Sequence, residues 1–256
     1  MKFYGNIYVV LFNPNDIQIL KDGPAARRRF LDIMISQLRT GYVYNYNQYI
    51  KTLEQRNNYL RQIKLEGKEQ RLLEIWDEQL AILGKKIYDY RQEFIEKIKE
   101  KINIIHGKIT DNKEIIKIEY QSNCSNKEKY LEKLIKAREI DIKKGYTVYG
   151  IHRDDFNIFL NNILVNIYGS QGQQRSVVLS LKVAELDFIN LMTEDSAVFL
   201  LDDVLSELDE KRRDHLMDKA IIKYQTLITT ADLDCCRFLP SGCRKFEVSE
   251  GHILAK

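Results

Sequence analysis

Proline is nearly missing from this chain, with three in 256 residues, and glycine is held to twelve. So little of either leaves no material for long flexible linkers, and it excludes collagen-like and low-complexity classes. Cysteine is just as sparse: Cys124, Cys235, Cys236 and Cys243 form no C-x-x-C pair and cannot staple a disulfide scaffold. Because Cys235 and Cys236 are adjacent, at most one points inward from a given face, and idle or buried thiols in a reducing cytoplasm are the expectation. No long apolar run exists near the start: residues 7–12 fall far short of a membrane span, and no h-region with a cleavage site follows Met1. A surplus of one charge is absent too, since 40 Lys+Arg stand against 37 Asp+Glu for a net +3, so the molecule is no basic coat for nucleic acid. The four histidines, His106, His152, His215 and His252, have no metal-ligand spacing, and the charges beside His152 suggest a structural ion-pair turn. Serines show no visible His/Asp partnership for nucleophilic catalysis. What remains is a soluble, intracellular chain whose 44% hydrophobic content can fill a real core, in one large domain or two modest ones.

Residues 6–12 read as a short buried strand stopped by Asn13-Pro14, and Pro24 opens a basic helix carrying Arg27, Arg28 and Arg29. Ile50, Leu53, Asn57 and Leu60, then Leu73, Trp76, Leu80, Leu83, Ile87, Tyr90 and Phe94 after Gly67, step by three and four. Such stripes predict two helices packed antiparallel about a turn at Gly67, either as an amphipathic hairpin on a core or as a protruding coiled coil. Tyr42, Tyr44, Tyr46 and Tyr49 cover a helix surface or stack on bases. From Lys113 the period becomes two, and Ile116, Ile118 and Tyr120 predict a strand. Ser125, with Glu128 three residues on, predicts a capped helix over 127–144 that holds seven basic and four acidic residues. That helix offers a solvated face or a DNA-facing one. Residues 156–160 and 163–167 flank Asn161-Asn162 as a hairpin. The last hundred residues alternate: a helix over 174–191, an apolar strand over 197–201, a helix over 207–222 and a strand over 225–229. That β-α-β order argues a parallel sheet flanked by helices.

Two constellations carry chemistry. Asp202 and Asp203 end a strand buried on both faces, where open α/β sheets place their ligands. An acid there can hold Mg²⁺ that bridges nucleotide phosphates, and its neighbour can orient an attacking water. Five of the nine residues from Asp202 to Glu210 are acidic, which implies bound cations or a solvated acidic loop. Upstream, Ser170-Gln171-Gly172-Gln173-Gln174-Arg175 enters a helix, where Gly172 permits close approach and unpaired N–H groups can meet an anion. A plain helix cap is the alternative.

Ser170 to Arg175 resembles the signature motif of ABC-type ATPases in the form used by the RecF recombination-mediator family. Leu200-Leu201-Asp202-Asp203-Val204-Leu205-Ser206-Glu207-Leu208-Asp209 resembles that family's Walker B strand and D-loop. Phe12-Asn13-Pro14-Asn15-Asp16-Ile17, Arg27-Arg28-Arg29-Phe30-Leu31-Asp32, Gln55-Arg56-Asn57 and His152-Arg153-Asp154-Asp155 are similar to family segments in the same order. The resemblance implies an α/β fold: an ABC-type ATPase head, a P-loop NTPase-like sheet flanked by helices, with an antiparallel helical arm subdomain. The division expected is 1–40 for part of the head lobe and the basic helix, 41–105 for the arm, and 106–256 for the remaining head with signature motif, Walker B, D-loop and switch. It implies that Asp202 helps hold Mg²⁺ and that Asp203 stands at the catalytic-carboxylate position. Ser170, Gly172 and Gln173 would contact ATP bound to a second subunit, ATP thereby holding a homodimer together. Asp209 would cross that interface in the D-loop, Thr229 and Thr230 would occupy the switch position, and residues 12–17 would form the Q-loop side. Family partners are DNA with single-strand/double-strand junctions, RecR and RecO, in the loading of RecA; Arg27, Arg28, Arg29 or the 127–144 helix would supply phosphate contacts.

One departure dominates. A P-loop needs G-x-x-x-x-G-K-[ST], whereas Gly67-Lys68, Gly84-Lys85 and Gly107-Lys108 are followed by Glu, Lys and Ile and lack the upstream glycine. The expectation is the family architecture without its N-terminal portion, with little ATPase activity alone. Ile151 also stands before His152 where the family usually has proline. Two further readings remain open: a metal-dependent nuclease or phosphotransferase built on Asp202, Asp203 and Asp209, and a non-catalytic protein-interaction fragment.

Overall fold

The structure, a computed structural model, describes residues 7–193, 196–216, 221–231 and 242–255. In chain order it runs β1 (Val9–Phe12), α1 (Gln18–Lys21), α2 (Pro24–Leu38), α3 (Thr40–Glu66), α4 (Leu73–Thr110), β2 (Ile116–Gln121), α5 (Lys127–Lys136), α6 (Arg138–Lys144), β3 (Asp155–Leu160), β4 (Ile163–Leu164), α7 (Val165–Tyr168), α8 (Gln171–Met192), β5 (Val198–Asp202), α9 (Glu210–Leu216), β6 (Thr226–Thr229), β7 (Phe246–Ser249) and β8 (His252–Ala255). Among the described residues no helix is long and apolar enough to cross a membrane. The adjacent Cys235 and Cys236 lie outside those residues, while Cys124 is a buried free thiol and Cys243 an exposed one.

The apolar run before Asp202 becomes the middle strand of a parallel sheet ordered β1-β5-β6. Val198 pairs with Val9 on one side, and Asp202 pairs with Thr229 on the other. The expected burial on both faces is met on one: Phe199 and Leu201, which share a face, are fully buried, whereas Val198 and Leu200 on the other are half-buried. A second, antiparallel sheet, β2-β3-β4, lies against α4, and the Asn103 side chain brackets the Ile116 backbone from both sides at 2.7 and 2.8 Å. Asn161 and Asn162 adopt φ of 49° and 66°, the left-handed turn that Asn tolerates. The strand expected over 163–167 ends at Leu164, because the Val165 carbonyl closes a one-turn helix on Gly169 and also accepts from Gln174.

Gly67 ends α3 at φ 67°, and α4 returns antiparallel along it, so the heptad stripes do form a hairpin. The hairpin is not free-standing along its length: α5 packs on α4 and α6 on α3. Gly84 lets α5 approach, since a Cβ there would meet the Tyr130 ring at 2.8 Å. In its 38 residues α4 runs on beyond the hairpin to Thr110 and packs on α8, with Phe94 against Phe188 at 4.8 Å, edge to face. The boundary expected at 105 therefore falls inside one continuous helix. The lysine-rich segment differs in two details. Asn126, not Ser125, caps α5 by accepting from the Lys129 N–H at 2.8 Å, and the helix breaks at Ala137. The break turns Arg138 toward Asp77 and Asp141 toward Arg56, at 2.8 and 2.7 Å.

Two buried polar knots hold arm to head. In the first, Arg56 on α3 donates to Asp77 on α4 at 2.7 Å and to Asp141, all three fully buried. In the second, Arg91 on α4 reaches Asp32 on α2 at 2.8 Å, Asp154 at 3.4 Å and the Ile151 carbonyl at 2.8 Å, while Tyr42 donates to Asp32. Tyr42 and Tyr49 are thus core residues, and of the four tyrosines only Tyr44 is largely exposed. His152 sits beside the second knot, not in an ion-pair turn. Its Nε2 donates to the Thr147 carbonyl at 3.1 Å, Nδ1 lies 2.9 Å from the Tyr49 hydroxyl, and burial lowers its pKa to about 4.

Breaking a buried pair leaves an uncompensated charge, so Arg56→Met should destabilise the fold by about 3–5 kcal/mol in urea unfolding. His152 sets a pH dependence. Its folded pKa of about 4 lies below the ordinary 6.5, so the unfolded chain takes up the proton first as pH falls. The stability it contributes is complete above that ordinary value and is lost on descent toward its folded one, about 3 kcal/mol in all. His152→Gln should remove this part of the unfolding profile, measured by urea midpoints between neutral and acid pH.

Candidate functional site

The C-terminal ends of β5 and β6 build the first half of the site. Asp202 is exposed at the end of β5, and the Thr229 hydroxyl donates to its Oδ1 at 2.6 Å. Register explains the contact, because Asp202 and Thr229 are paired across parallel strands. Asp203 follows at φ 52°, a left-handed conformation that Asp tolerates better than most residues, with its N–H donating to the Thr229 carbonyl at 3.0 Å. Backbone held in this region clusters where function needs a side chain aimed. Among the described residues no side-chain partner occupies Asp203, so two exposed carboxylates stand side by side, only one oxygen committed. Thr230 follows at the end of β6, half-buried.

Hard carboxylate oxygens suit Mg²⁺, which is usually held by one or two carboxylates together with water and phosphate. Among the described residues no three His, Cys, Asp or Glu side chains converge as a ligand set. Asp209 is elsewhere engaged: it caps α9, accepting from the Arg212 N–H at 2.9 Å and pairing with the Arg212 guanidinium. The donor set therefore fits a phosphate-bridged Mg²⁺ and gives no support to a protein-held two-metal cluster of Asp202, Asp203 and Asp209. The helix expected over 207–222 starts only at Glu210, after a 3-10 turn over Leu205–Glu207, and its stretch 217–220 lies outside the described residues.

The second half is the N-terminus of α8. Ser170 and Gln173 form a reciprocal capping box, Ser170 Oγ accepting from the Gln173 N–H at 3.2 Å and Gln173 Oε1 from the Ser170 N–H at 2.9 Å. Gln174 N–H takes the Ser170 carbonyl at 2.9 Å, which leaves Gln171 and Gly172 as the open N–H donors of the first turn. Gln173 also donates to Glu114 at 2.9 Å, and Glu114 meets the buried His106 of α4 at 3.1 Å. The site thus rests on the long helix through a contact that sequence reading did not anticipate, with no periodic signal to announce it.

The 170–175 turn and the segment 207–212 are bound together. Arg212 donates to the Gly172 carbonyl at 3.0 Å and to Ser176 at 2.7 Å while holding Asp209, and Arg175 donates to the Glu207 carbonyl at 3.0 Å. A Cβ at Gly172 would stand 3.3 Å from the Arg212 guanidinium, which would have to give by a few tenths of an ångström. Phe12, Asn13, Pro14 and Ile17 line a small apolar cleft with Arg175 and Glu207, so the segment expected as the Q-loop side does adjoin this region. Lys182 on α8 fastens it through Asp16 at 3.0 Å; beside it, burial raises the Glu185 carboxyl to about 7 against the opposing pull of Lys182.

The basic triplet needs correction. Arg27 is buried, gripping Asp155 with two nitrogens at 2.6 and 2.9 Å, and Arg28 donates to the Asp154 carbonyl at 2.7 Å. Both face inward because the buried carboxylate and carbonyl of the 154–155 turn need donors. Arg29 alone of the three is exposed. The segments Arg27–Asp32 and His152–Asp155 thus form one internal clasp.

No family model matches the chain. It is 43% identical over 241 residues to the DNA replication and repair protein RecF of Exiguobacterium sp., covering 91% of this chain and 65% of that protein. To the RecF of Alkaliphilus oremlandii it is 41% identical over 259 residues, covering 97% of this chain and 70% of the relative. The chain thus spans about two thirds of the length of the curated relatives it matches. A solved structure described as the recombination mediator protein RecF-ATP in the RecFOR pathway superposes at a TM-score of 0.89 with 34% identity, over 100% of this chain and 69% of that one. An Smc head domain derived from Pyrococcus furiosus shares the fold alone, at a TM-score of 0.50 and 14% identity over 97% of this chain and 61% of that one. With identity sustained across nearly the whole chain and the same head-and-arm architecture, the chain belongs to the RecF family of DNA replication and repair proteins.

Proposed function

We propose that this chain supplies the signature, Walker B, D-loop and switch half of a RecF-type ATPase head whose nucleotide state gates DNA binding. The observation that supports it is the juxtaposition of Asp202, Asp203 and Thr229 at the carboxyl end of the central parallel strand, the position at which such sheets bind ligands. In this reading Asp202, with Asp203 beside it, holds Mg²⁺, which supplies charge neutralisation at the ATP phosphates when bound. Asp203 then orients the attacking water. Thr229 fixes the Asp202 carboxylate through its hydroxyl, and Thr230 continues the switch. A hydroxyl at this position senses phosphate but is a poor base, which accords with slow, switch-like hydrolysis.

The α8 end addresses a different nucleotide, one bound to a second copy. The open N–H groups of Gln171 and Gly172 and the positive helix end favour a terminal phosphate. The Ser170 hydroxyl adds a donor once it rotates from its capping role, and Gln173 anchors the turn. Arg212 ties this turn to Asp209, so contact at one is felt at the other, and ATP becomes the bridge of a homodimer. DNA phosphates are assigned to exposed Arg29 and to lysines of α5 and α6, with single-strand/double-strand junctions as the structure recognised and RecR and RecO as partners in loading RecA. This reading places the protein in the cytoplasm.

The sequence holds no G-x-x-x-x-G-K-[ST], so the purified chain should hydrolyse ATP at no more than background in the presence of Mg²⁺. Robust turnover abolished by Asp203→Ala would overturn that expectation. The same preparation should leave gapped and single-stranded DNA intact with Mg²⁺ or Mn²⁺; cleavage lost in Asp202→Ala would favour the nuclease reading instead. DNA affinity should fall steeply with salt, as phosphate contacts require, and a flat profile would point to a protein-binding surface.

A further inference from the structure

The loop 145–150 between α6 and β3 is held far more firmly than a connection needs to be. Glycines in positive-φ conformations stand at both ends, Gly145 at 74° and Gly150 at 143°. At Gly150 a Cβ would come within 2.2 Å of the Tyr49 hydroxyl and 2.5 Å of the Tyr130 hydroxyl. Between them Asn57 accepts from both the N–H and the hydroxyl of Thr147 at 2.8 Å, and Arg56 donates to that hydroxyl, also at 2.8 Å. Asp141 accepts from the Val148 N–H at 2.9 Å, His152 donates to the Thr147 carbonyl, and Tyr130 donates to the Tyr149 carbonyl at 3.3 Å. Residues of Gln55-Arg56-Asn57 and His152-Arg153, which the nucleotide site does not use, converge on this loop.

What the fixed backbone displays is aromatic and cationic. Tyr146 and Tyr149 are 40% and 38% exposed. Lys144 and Arg153 lie over the Tyr146 ring at 5.8 and 5.3 Å from its centre, and Lys133 lies over Tyr149 at 6.0 Å. Among the described residues none of Lys133, Lys143, Lys144 or Arg153 is ion-paired, and Asp141, the acid that holds the loop, is neutralised by Arg56.

We infer that this loop is a docking platform for single-stranded nucleic acid, Tyr146 and Tyr149 receiving unpaired bases while Lys143, Lys144, Lys133 and Arg153 receive the adjoining phosphates. It rests on the DNA-binding part of the proposed function and names the strand and the contact surface. The chemistry separates the candidates. A duplex satisfies the cations but hides its base faces, and an acidic peptide likewise leaves the rings unused. An unpaired strand engages both, stacking on aromatic faces while its backbone tracks positive charge. The cations now over the rings are free to move to phosphate, being otherwise without acids. A rigid presenting loop lowers the ordering cost of such binding.

The test measures fluorescence anisotropy of the full chain with labelled oligo(dT) and with a blunt hairpin duplex, across a salt series. Tyr146→Ala/Tyr149→Ala should weaken oligo(dT) binding on the order of tenfold or more, leave its salt slope unchanged and hardly alter duplex binding. Tyr146→Phe/Tyr149→Phe should bind as the parent does. Lys144→Gln/Arg153→Gln should lower the oligo(dT) salt slope by about 0.7 per cation removed. The exposed positions leave the fold intact, checked by circular dichroism. Parental oligo(dT) affinity in the alanine variant, while the parent still binds DNA, overturns the platform and leaves the DNA reading standing. Equal losses on duplex and single strand overturn the preference for unpaired bases. A parent chain that binds neither DNA overturns both.

Discussion

One guanidinium fixes how the arm meets the head. Arg91 lies fully buried on α4 and joins a helix of the head lobe, the turn that precedes β3, and the backbone carbonyl of Ile151. Its charge is not the source of net stability, since burying ions costs about what their attraction returns. What the knot supplies is uniqueness. A helix that slid by one turn along α8 would part Arg91 from Asp32 and Asp154, leaving the guanidinium buried without its acids and the two carboxylates with tyrosine hydroxyls but without their cation, a state several kcal/mol worse. The Arg27–Asp155 pair closes the same clasp from α2, so three segments far apart in the chain have a single mutual arrangement.

That fixed arrangement carries to the start of α8. α4 extends roughly 55 Å at 1.5 Å per residue, and its far turns present His106, which meets Glu114 and, through it, Gln173 in the first turn of α8. The same helix near its start holds Asp77, partner of Arg56, which in turn holds Thr147. Close packing at both ends depends on missing side chains: Gly84 admits the Tyr130 ring, and a Cβ at Gly107 would stand 2.4 Å from Asn112. Hydrogen bonds to buried side chains thus seat the helix near both of its ends.

How much of this was legible depends on the range of the interaction that decides it. Contacts three or four residues apart announce themselves, and the hairpin stripes from Ile50 to Phe94, the αL Asn161-Asn162 turn and the Ser170 helix cap all appear as their residue types predict, although α8 starts three residues before the expected Gln174. The apolar run before Asp202 likewise becomes a strand buried between two others. The polar knots were illegible for the opposite reason. Arg91 and Asp32 are 59 residues apart and Arg27 and Asp155 are 128 apart, so nothing local distinguishes an internal arginine from a phosphate-seeking one. The triplet Arg27-Arg28-Arg29 shows the limit well, because adjacent residues on one helix turn face different environments: Arg27 is buried, Arg28 half-buried and Arg29 exposed. Helix ends failed by smaller margins. Asn126 displaced Ser125 as a cap, and α9 waits until Asp209 offers a capping carboxylate.

The near-neutral charge balance takes on its meaning from this segregation. Arg27, Arg56 and Arg91, which would have made a basic face, are spent inside, each against a buried or half-buried carboxylate that offsets its charge. The charges left outside are sorted by place. Carboxylates gather beyond β5, where Asp202 and Asp203 have few internal obligations, while unpaired lysines and Arg153 gather around the 145–150 loop. An acidic end suited to a cation and a basic end suited to phosphate then stand on one rigid frame. Exposed charges farther apart than the roughly 8 Å over which physiological salt screens act independently, so a ligand at either end answers mainly to the charges beside it.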